Sequence, residues 1–293
     1  MTNIKEIKNN LLKDSYFEID HESGFKIFVY PKENYSSSYA VFGTKYGSID
    51  TCFKVEGNDN FTEVPEGIAH FLEHKLFESE ELDAFQRYAK TGASANAYTS
   101  FDRTCYLFTC TGYFKENFEI LLDFVRHPYF TEETVQKEQG IIGQEIDMYK
   151  DSPEWESLFN ALAAMYHNHP VKIDIAGTKQ SISEITAEML FACYETFYNL
   201  SNMALAVAGN ATLEQVIEIA DKVLEQFKKV YPEKIPEIET YNRNVVIAHS
   251  YYRSMYASSQ RAMQARRTSG GGGRASFGGG GGFSGGGRGG GSR

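Results

Sequence analysis

Cysteine is scarce in this chain of 293 residues: four thiols, Cys52, Cys105, Cys110 and Cys193, with no C-x-x-C spacing among them. Cys105 and Cys110 stand five apart on an expected strand and so face opposite sides of it. With no paired spacing to mark a disulfide framework, all four read as free buried thiols. Long apolar runs are missing too. Nothing approaches the roughly 20 apolar residues of a membrane span, and the stretch from Met1 to Asn10 has no apolar core of a secretory signal. The expected compartment is the cytoplasm. Acidic residues and lysine vanish from Asn244 onward, where seven arginines remain, so residues 1–243 hold all 39 acids and 22 of the 29 bases. The resulting formal charge of −17 (39 acids less 22 bases) argues against nucleic acid as a substrate and suits steering of basic peptides.

What is present is enough for a folded body, since 42% hydrophobic content with 21 Phe and 19 Tyr can fill the core of one large or two modest domains. Its most informative segment is His70-Phe71-Leu72-Glu73-His74. Read as helix, His70 and His74 project from one face, with Glu73 on its flank. This is the H-x-x-E-H spacing, the mirror of the commoner H-E-x-x-H zinc motif. Neutral imidazoles hold Zn²⁺ with a position left open, and a nearby carboxylate serves as base. Such a site needs a third ligand, a carboxylate or another His. The acid-rich stretch 131–150 opens on Thr131 as an N-cap, and its Glu138 and Glu145 lie two turns apart on a shared face. Bland readings stand beside these: an isolated H-x-x-E-H can fall on any amphipathic helix, and the two glutamates can be a solvated face. His167 and His169, set with Asn168 and Pro170 in an expected turn, read as structural or exposed.

Several segments together resemble the pitrilysin/insulinase zinc peptidases, the inverzincins. Gly67 through Phe77 is similar to that family's zinc helix, and Gly92 through Ser100 to its active-site edge strand. Glu138 through Glu145, with Asp151-Ser152-Pro153, is similar to its distal-ligand helix. Ala176-Gly177-Thr178, Tyr198 through Met203 and Val207 through Asn210 follow in the order of an amino-terminal domain. The resemblance covers roughly residues 15–240 and is nearest to bacterial insulinase-like proteins associated with elongation factor P modification. It implies one Zn²⁺ per chain held by His70, His74 and Glu145, with Glu73 as general base and Glu138 orienting a ligand. It also implies that Ala95, Asn96 and Ala97 offer backbone groups to a peptide added as a strand. The implied activity is peptide-bond hydrolysis. Members form a clamshell with further domains or a partner subunit, so a homologous subunit or second half is expected; the alternative is a non-catalytic zinc-binding subunit supporting a peptide-binding or protein-modification assembly.

Strands are expected at 25–30, 38–44, 95–99, 104–109 and 203–208, and helices from near Pro65 and over 82–91, 115–126, 131–150, 153–166, 186–198 and 213–229. This order predicts an α+β fold, one sheet with helices mainly on one face. Residues 1–14 read as an amino-terminal extension, 15–243 as the insulinase-like domain and 244–293 as a disordered tail, since residues 270–293 are mostly glycine. Arg-Gly tracts bind single-stranded RNA, but only Arg288 followed by two glycines fits, which favours a plain flexible tail. The short length is compatible with a natural short form, a fragment or a fusion onto a foreign tail.

Overall fold

The computed structural model describes residues 3–11, 13–21, 24–55, 59–228 and 238–240. The expected tail, 244–293, and its boundary at 243 lie outside them. Ten strands are present: β1 (Asn3–Asn9), β2 (Asp14–Asp20), β3 (Lys26–Pro31), β4 (Ser38–Thr44), β5 (Cys52–Val55), β6 (Thr62–Glu63), β7 (Ser94–Thr99), β8 (Thr104–Cys110), β9 (Met203–Gly209) and β10 (Ile238–Thr240). Seven of them form one sheet in the order β1-β2-β3-β9-β4-β8-β7, antiparallel except where β3 meets β9. The other three form a small sheet, β10-β5-β6, which adds to the one expected.

Alternation along the strands sorts the two faces of the large sheet. Ile27 and Val29, Ala40 and Phe42, Tyr106 and Phe108, Leu205 and Val207 are buried, whereas Phe28, Tyr30, Tyr39, Val41 and Ala206 on the opposite face are only half-buried. Each large apolar side chain on the covered face contributes about 1.5–3 kcal/mol by leaving water. The helices lie mainly on that face, as expected: α1 (Ile68–Leu76), α2 (Ala84–Thr91), α3 (Phe114–Arg126), α4 (Glu132–Lys150), α5 (Pro153–Met165), α6 (Lys179–Ser183), α7 (Ala187–Phe197) and α8 (Leu213–Lys228). Of these, α1, α2, α3 and α8 pack directly on the sheet. No helix among the described residues is long and apolar enough to cross a membrane.

Two expectations need correction. The segment read as an extension contains β1, which pairs with β2 from Asn3 opposite Asp20 to Asn9 opposite Asp14, so it is the outer strand of the sheet. The site helix, expected from near Pro65, starts three residues later. It begins at Ile68, because Gly67 turns left-handed (φ 87°) immediately before it. Only glycine takes that conformation at little cost, and here there is a second reason. A Cβ on Gly67 would sit 2.4 Å from the Ala176 carbonyl oxygen, and one on Gly177 (φ 72°) would sit 2.5 Å from that of Glu66. The two glycines let the chain before α1 and the chain before α6 pass backbone to backbone, and Ser181 Oγ donates to Glu66 O at 2.8 Å across the same contact.

Candidate metal centre

Of the nine residues of α1, eight are buried and His74 is the exception. The helix is clasped between β7, the edge strand of the sheet, and α4. One turn apart on it, the His70 and His74 rings approach edge to face with centroids 4.6 Å apart. α4 is capped by Thr131, whose hydroxyl accepts from the Thr134 amide at 3.2 Å. Its buried stripe of Val135, Glu138, Ile142, Ile146 and Tyr149 turns toward the core, and Glu145 lies on the border of that stripe.

The two helices bring His70, His74 and Glu145 together. One potential ligand atom from each lies within 4.8 Å of the others, and no other group of three such residues occurs among the described residues. Glu145 Oε1 is 3.8 Å from His70 Nε2, and Oε2 is 3.4 Å from His74 Nε2. These separations exceed those of good hydrogen bonds. The His70 Nδ1 is buried without a hydrogen-bond partner. Both imidazoles turn Nε2 toward the Glu145 carboxylate at more than hydrogen-bond length, so the three groups converge without bonding one another. The donor set, two imidazoles and one carboxylate, is that of a catalytic zinc site with an open position. The residues fit the metal.

Glu138 stands behind His74. Its Oε1 is 2.8 Å from His74 Nδ1, which fixes the ring and leaves Nε2 toward Glu145. Burial works against charge on His74, but the Glu138 hydrogen bond and the fields of Glu145 and Glu73 together raise its pKa to about 10. His70 goes the other way: burial, aided by the neighbouring His74, lowers it to about 4 against the pull of Glu145. Glu73 is buried, and that burial pushes its carboxyl up to about 7, opposed by His74 and by the Thr99 hydroxyl. That hydroxyl donates to Glu73 Oε2 at 3.0 Å.

Ala95, Asn96 and Ala97 lie on β7 with no further strand beyond it among the described residues. Asn96 is exposed and its Oδ1 accepts from the Ala97 amide at 2.9 Å. The other histidine pair does not join the site: His169 Nδ1 accepts from the Val171 amide at 3.1 Å as the cap of a short 3₁₀ turn, and His167 is exposed. All four thiols are free, with Cys105, Cys110 and Cys193 buried. Two contacts were not anticipated from sequence. Thr99 on β7 meets the candidate base, and Tyr149 OH donates to Glu145 Oε1 at 2.7 Å. Each carried a faint signal: Thr99 shares a strand face with Ala95 and Ala97, and Tyr149 follows Glu145 by one helical turn.

Residues 59–179 match the model of the insulinase family, peptidase family M16, and residues 184–255 match that of the peptidase M16 inactive domain. The chain belongs to the insulinase peptidases. It is 50% identical over 236 residues to the uncharacterized zinc protease YmfH of Bacillus subtilis, covering 80% of this chain and 54% of that protein. A zinc protease of Rickettsia felis is 29% identical over 172 residues, 56% of this chain and 41% of the relative. The chain thus spans about half the length of these relatives. Among solved structures, an M16-like peptidase from Alicyclobacillus acidocaldarius superposes with a TM-score of 0.72 at 41% identity, covering 82% of this chain and 53% of that one. The first half of the periplasmic protease PqqL from Escherichia coli shares the fold at 20% identity with a TM-score of 0.61, covering 79% and 48%. The tie to elongation factor P modification is a separate expectation that these relatives do not address.

Proposed function

We propose that this insulinase chain is the catalytic part of a zinc-dependent metalloendopeptidase, with one zinc per chain held by His70, His74 and Glu145. The observation that carries this reading is the meeting of those three ligands with the buried Glu73 carboxylate on the same helix. Zinc held by these residues would supply a Lewis acid for the scissile carbonyl and lower the pKa of its water. Glu73 is the proton carrier. Thr99 holds the carboxylate at Oε2, and the group takes a proton from water and passes it to the leaving amine. A carboxyl whose pKa lies near 7 can do both at neutral pH. Glu138 orients His74 through Nδ1.

Peptide docks along β7, adding a strand to the free edge at Ala95, Asn96 and Ala97, so that main-chain pairing gives affinity with little sequence preference. The Asn96 side chain competes for the Ala97 amide and must yield it if the peptide is to use it. Only one side of a peptide is covered by this edge. Positioning and exclusion of solvent can be worth roughly 7–11 kcal/mol of barrier, so full activity calls for a second insulinase-like half or partner subunit over the other side. The half-length match to the relatives supports that requirement.

Metal analysis and peptide cleavage test the reading together. About one equivalent of zinc is expected, lost in His70→Ala and His74→Ala and kept in Glu73→Gln, which abolishes hydrolysis. Cleavage of unstructured peptides by the isolated chain is expected to be weak and to rise clearly when a family-type second half is supplied. Zinc without hydrolysis, even with the second half present, would make the chain a non-catalytic binding subunit.

A further inference from the structure

The turn Asp151-Ser152-Pro153 has no place in the reaction, yet it decides what stands behind the third ligand. α4 ends at Lys150 and α5 begins at Pro153, so only two residues join the helices. Ser152 caps the new helix, its hydroxyl accepting from the Trp155 amide at 3.4 Å. Proline at the first helical position keeps the entry tight. The short connection lays the Trp155 indole flat on the Tyr149 ring, centroids 4.4 Å apart and planes 13° from parallel. Trp155 is fixed in turn, because its indole N–H donates to Asp174, whose other oxygen accepts from the Ala176 amide at 2.9 Å. Tyr149 and Trp155 are both buried. The phenol at the end of this stack donates to Glu145 Oε1 at 2.7 Å.

We propose that Tyr149 is a positioning residue for the metal: its hydroxyl holds the Glu145 carboxylate in the orientation that the ion requires, and Trp155 holds the ring that carries the hydroxyl. Glu145 reaches the site on a side chain with three rotatable bonds, and any freedom it keeps before metal arrives is freedom lost on binding. A carboxylate already hydrogen-bonded on one oxygen has less to lose. Partners of this kind typically change metal affinity 10–100-fold when removed. The inference rests on the assignment of Glu145 as a ligand.

The test is zinc affinity measured by competition with a chromophoric chelator, which needs no catalysis. Tyr149→Phe removes one hydroxyl and keeps the stack. It is expected to weaken zinc binding by about tenfold, while the melting temperature of the metal-free protein stays close to that of the parent. Trp155→Phe, which keeps the hydroxyl but shrinks its support, is expected to weaken binding by less. A Tyr149→Phe affinity within twofold of the parent overturns the proposal. So does an affinity loss accompanied by an equal loss of metal-free stability in Tyr149→Phe, since that is what a merely structural residue gives. Glu145→Gln separates the two levels: if it leaves zinc binding intact, the ligand assignment itself is wrong. If it removes zinc while Tyr149→Phe does not weaken it, only the role of Tyr149 falls.

Discussion

Gly67→Ala is expected to destabilise the protein much more than Gly92→Ala, although both replace a left-handed glycine at the end of a helix. Gly67 precedes α1 with φ 87°, and Gly92 ends α2 with φ 72°. Placing alanine in that backbone region costs about 1–2 kcal/mol at either position. The surroundings differ. Beyond its own chain neighbours, no heavy atom lies within 4 Å of a Cβ built on Gly92, whereas one built on Gly67 meets Ala176 O at 2.4 Å and Ala176 C at 2.8 Å. The obstacle is backbone, which cannot rotate away, so forced repacking adds roughly 1–3 kcal/mol. The expectation is a loss of about 1–2 kcal/mol for Gly92→Ala and about 2–5 kcal/mol for Gly67→Ala. Urea denaturation followed by circular dichroism reads both from midpoints at constant slope. Gly177→Ala should resemble Gly67→Ala, since its Cβ meets Glu66 O at 2.5 Å in the same crossing. The double variant should then lose less than the sum, because once one backbone has been pushed aside the second methyl finds room. Equal midpoints for Gly67→Ala and Gly92→Ala would refute the close crossing as the reason for glycine.

Glu138→Ala is expected to weaken zinc binding about 10–100-fold, read by chelator competition, while leaving the fold intact; unchanged affinity would remove its orienting role. In the metal-free protein burial lowers the His74 pKa but the Glu138 hydrogen bond and the Glu145 field outweigh it, raising it to about 10. Zinc binding between about pH 7 and 9 should therefore release close to one proton from His74 and tighten as pH rises, which calorimetry in buffers of different ionisation enthalpy can count. By the same sign, the stability that His74 gives the metal-free fold is complete below about pH 6.5 and fades as pH climbs toward 10. Truncation after Arg243 should leave the melting temperature within a few degrees, and a loss of several kcal/mol of the kind that follows core deletion would place the domain boundary nearer residue 255, where the second family match ends.

Much of the fold was legible because most elements announce themselves locally. Gly92 ends α2, Thr131 caps α4, and the alternation in Ser38–Thr44 and Met203–Gly209 marks buried strands. β1 was not legible for an equally local reason. Its residues Asn3, Lys5, Glu6 and Lys8 are polar toward both faces, so no period of two shows, and only pairing with β2 makes it a strand. The start of α1 was misplaced because Pro65 carries a helix-start signal that a left-handed Gly67 overrides. Gly67 and the Ala176-Gly177-Thr178 segment were visible as separate family-like pieces. That they are two sides of one backbone crossing is a property of the packed structure, since 110 residues (177 less 67) separate the two glycines.

The site divides in the same way. H-x-x-E-H points to its own residues, and seven-residue spacing puts Glu138 and Glu145 on one face of α4. What spacing cannot give is how each group is kept in the form its role needs, because that depends on which surfaces meet. His70 is held neutral by burial, aided by the neighbouring His74, its pKa driven down to about 4, and a neutral imidazole is the form that accepts a metal. His74, more exposed, is held by Glu138, which draws the ring proton to Nδ1 and leaves Nε2 for a metal once the second proton has gone. Glu73 is fixed by Thr99 from the sheet edge, and Glu145 by Tyr149 from one turn along its own helix. Removing any one of these supports leaves H-x-x-E-H and Glu145 unaltered in sequence. On the proposed reading a chain could therefore keep every motif residue and still lose the centre, and the residues that would decide this, Thr99, Glu138 and Tyr149, are those that touch the site from behind.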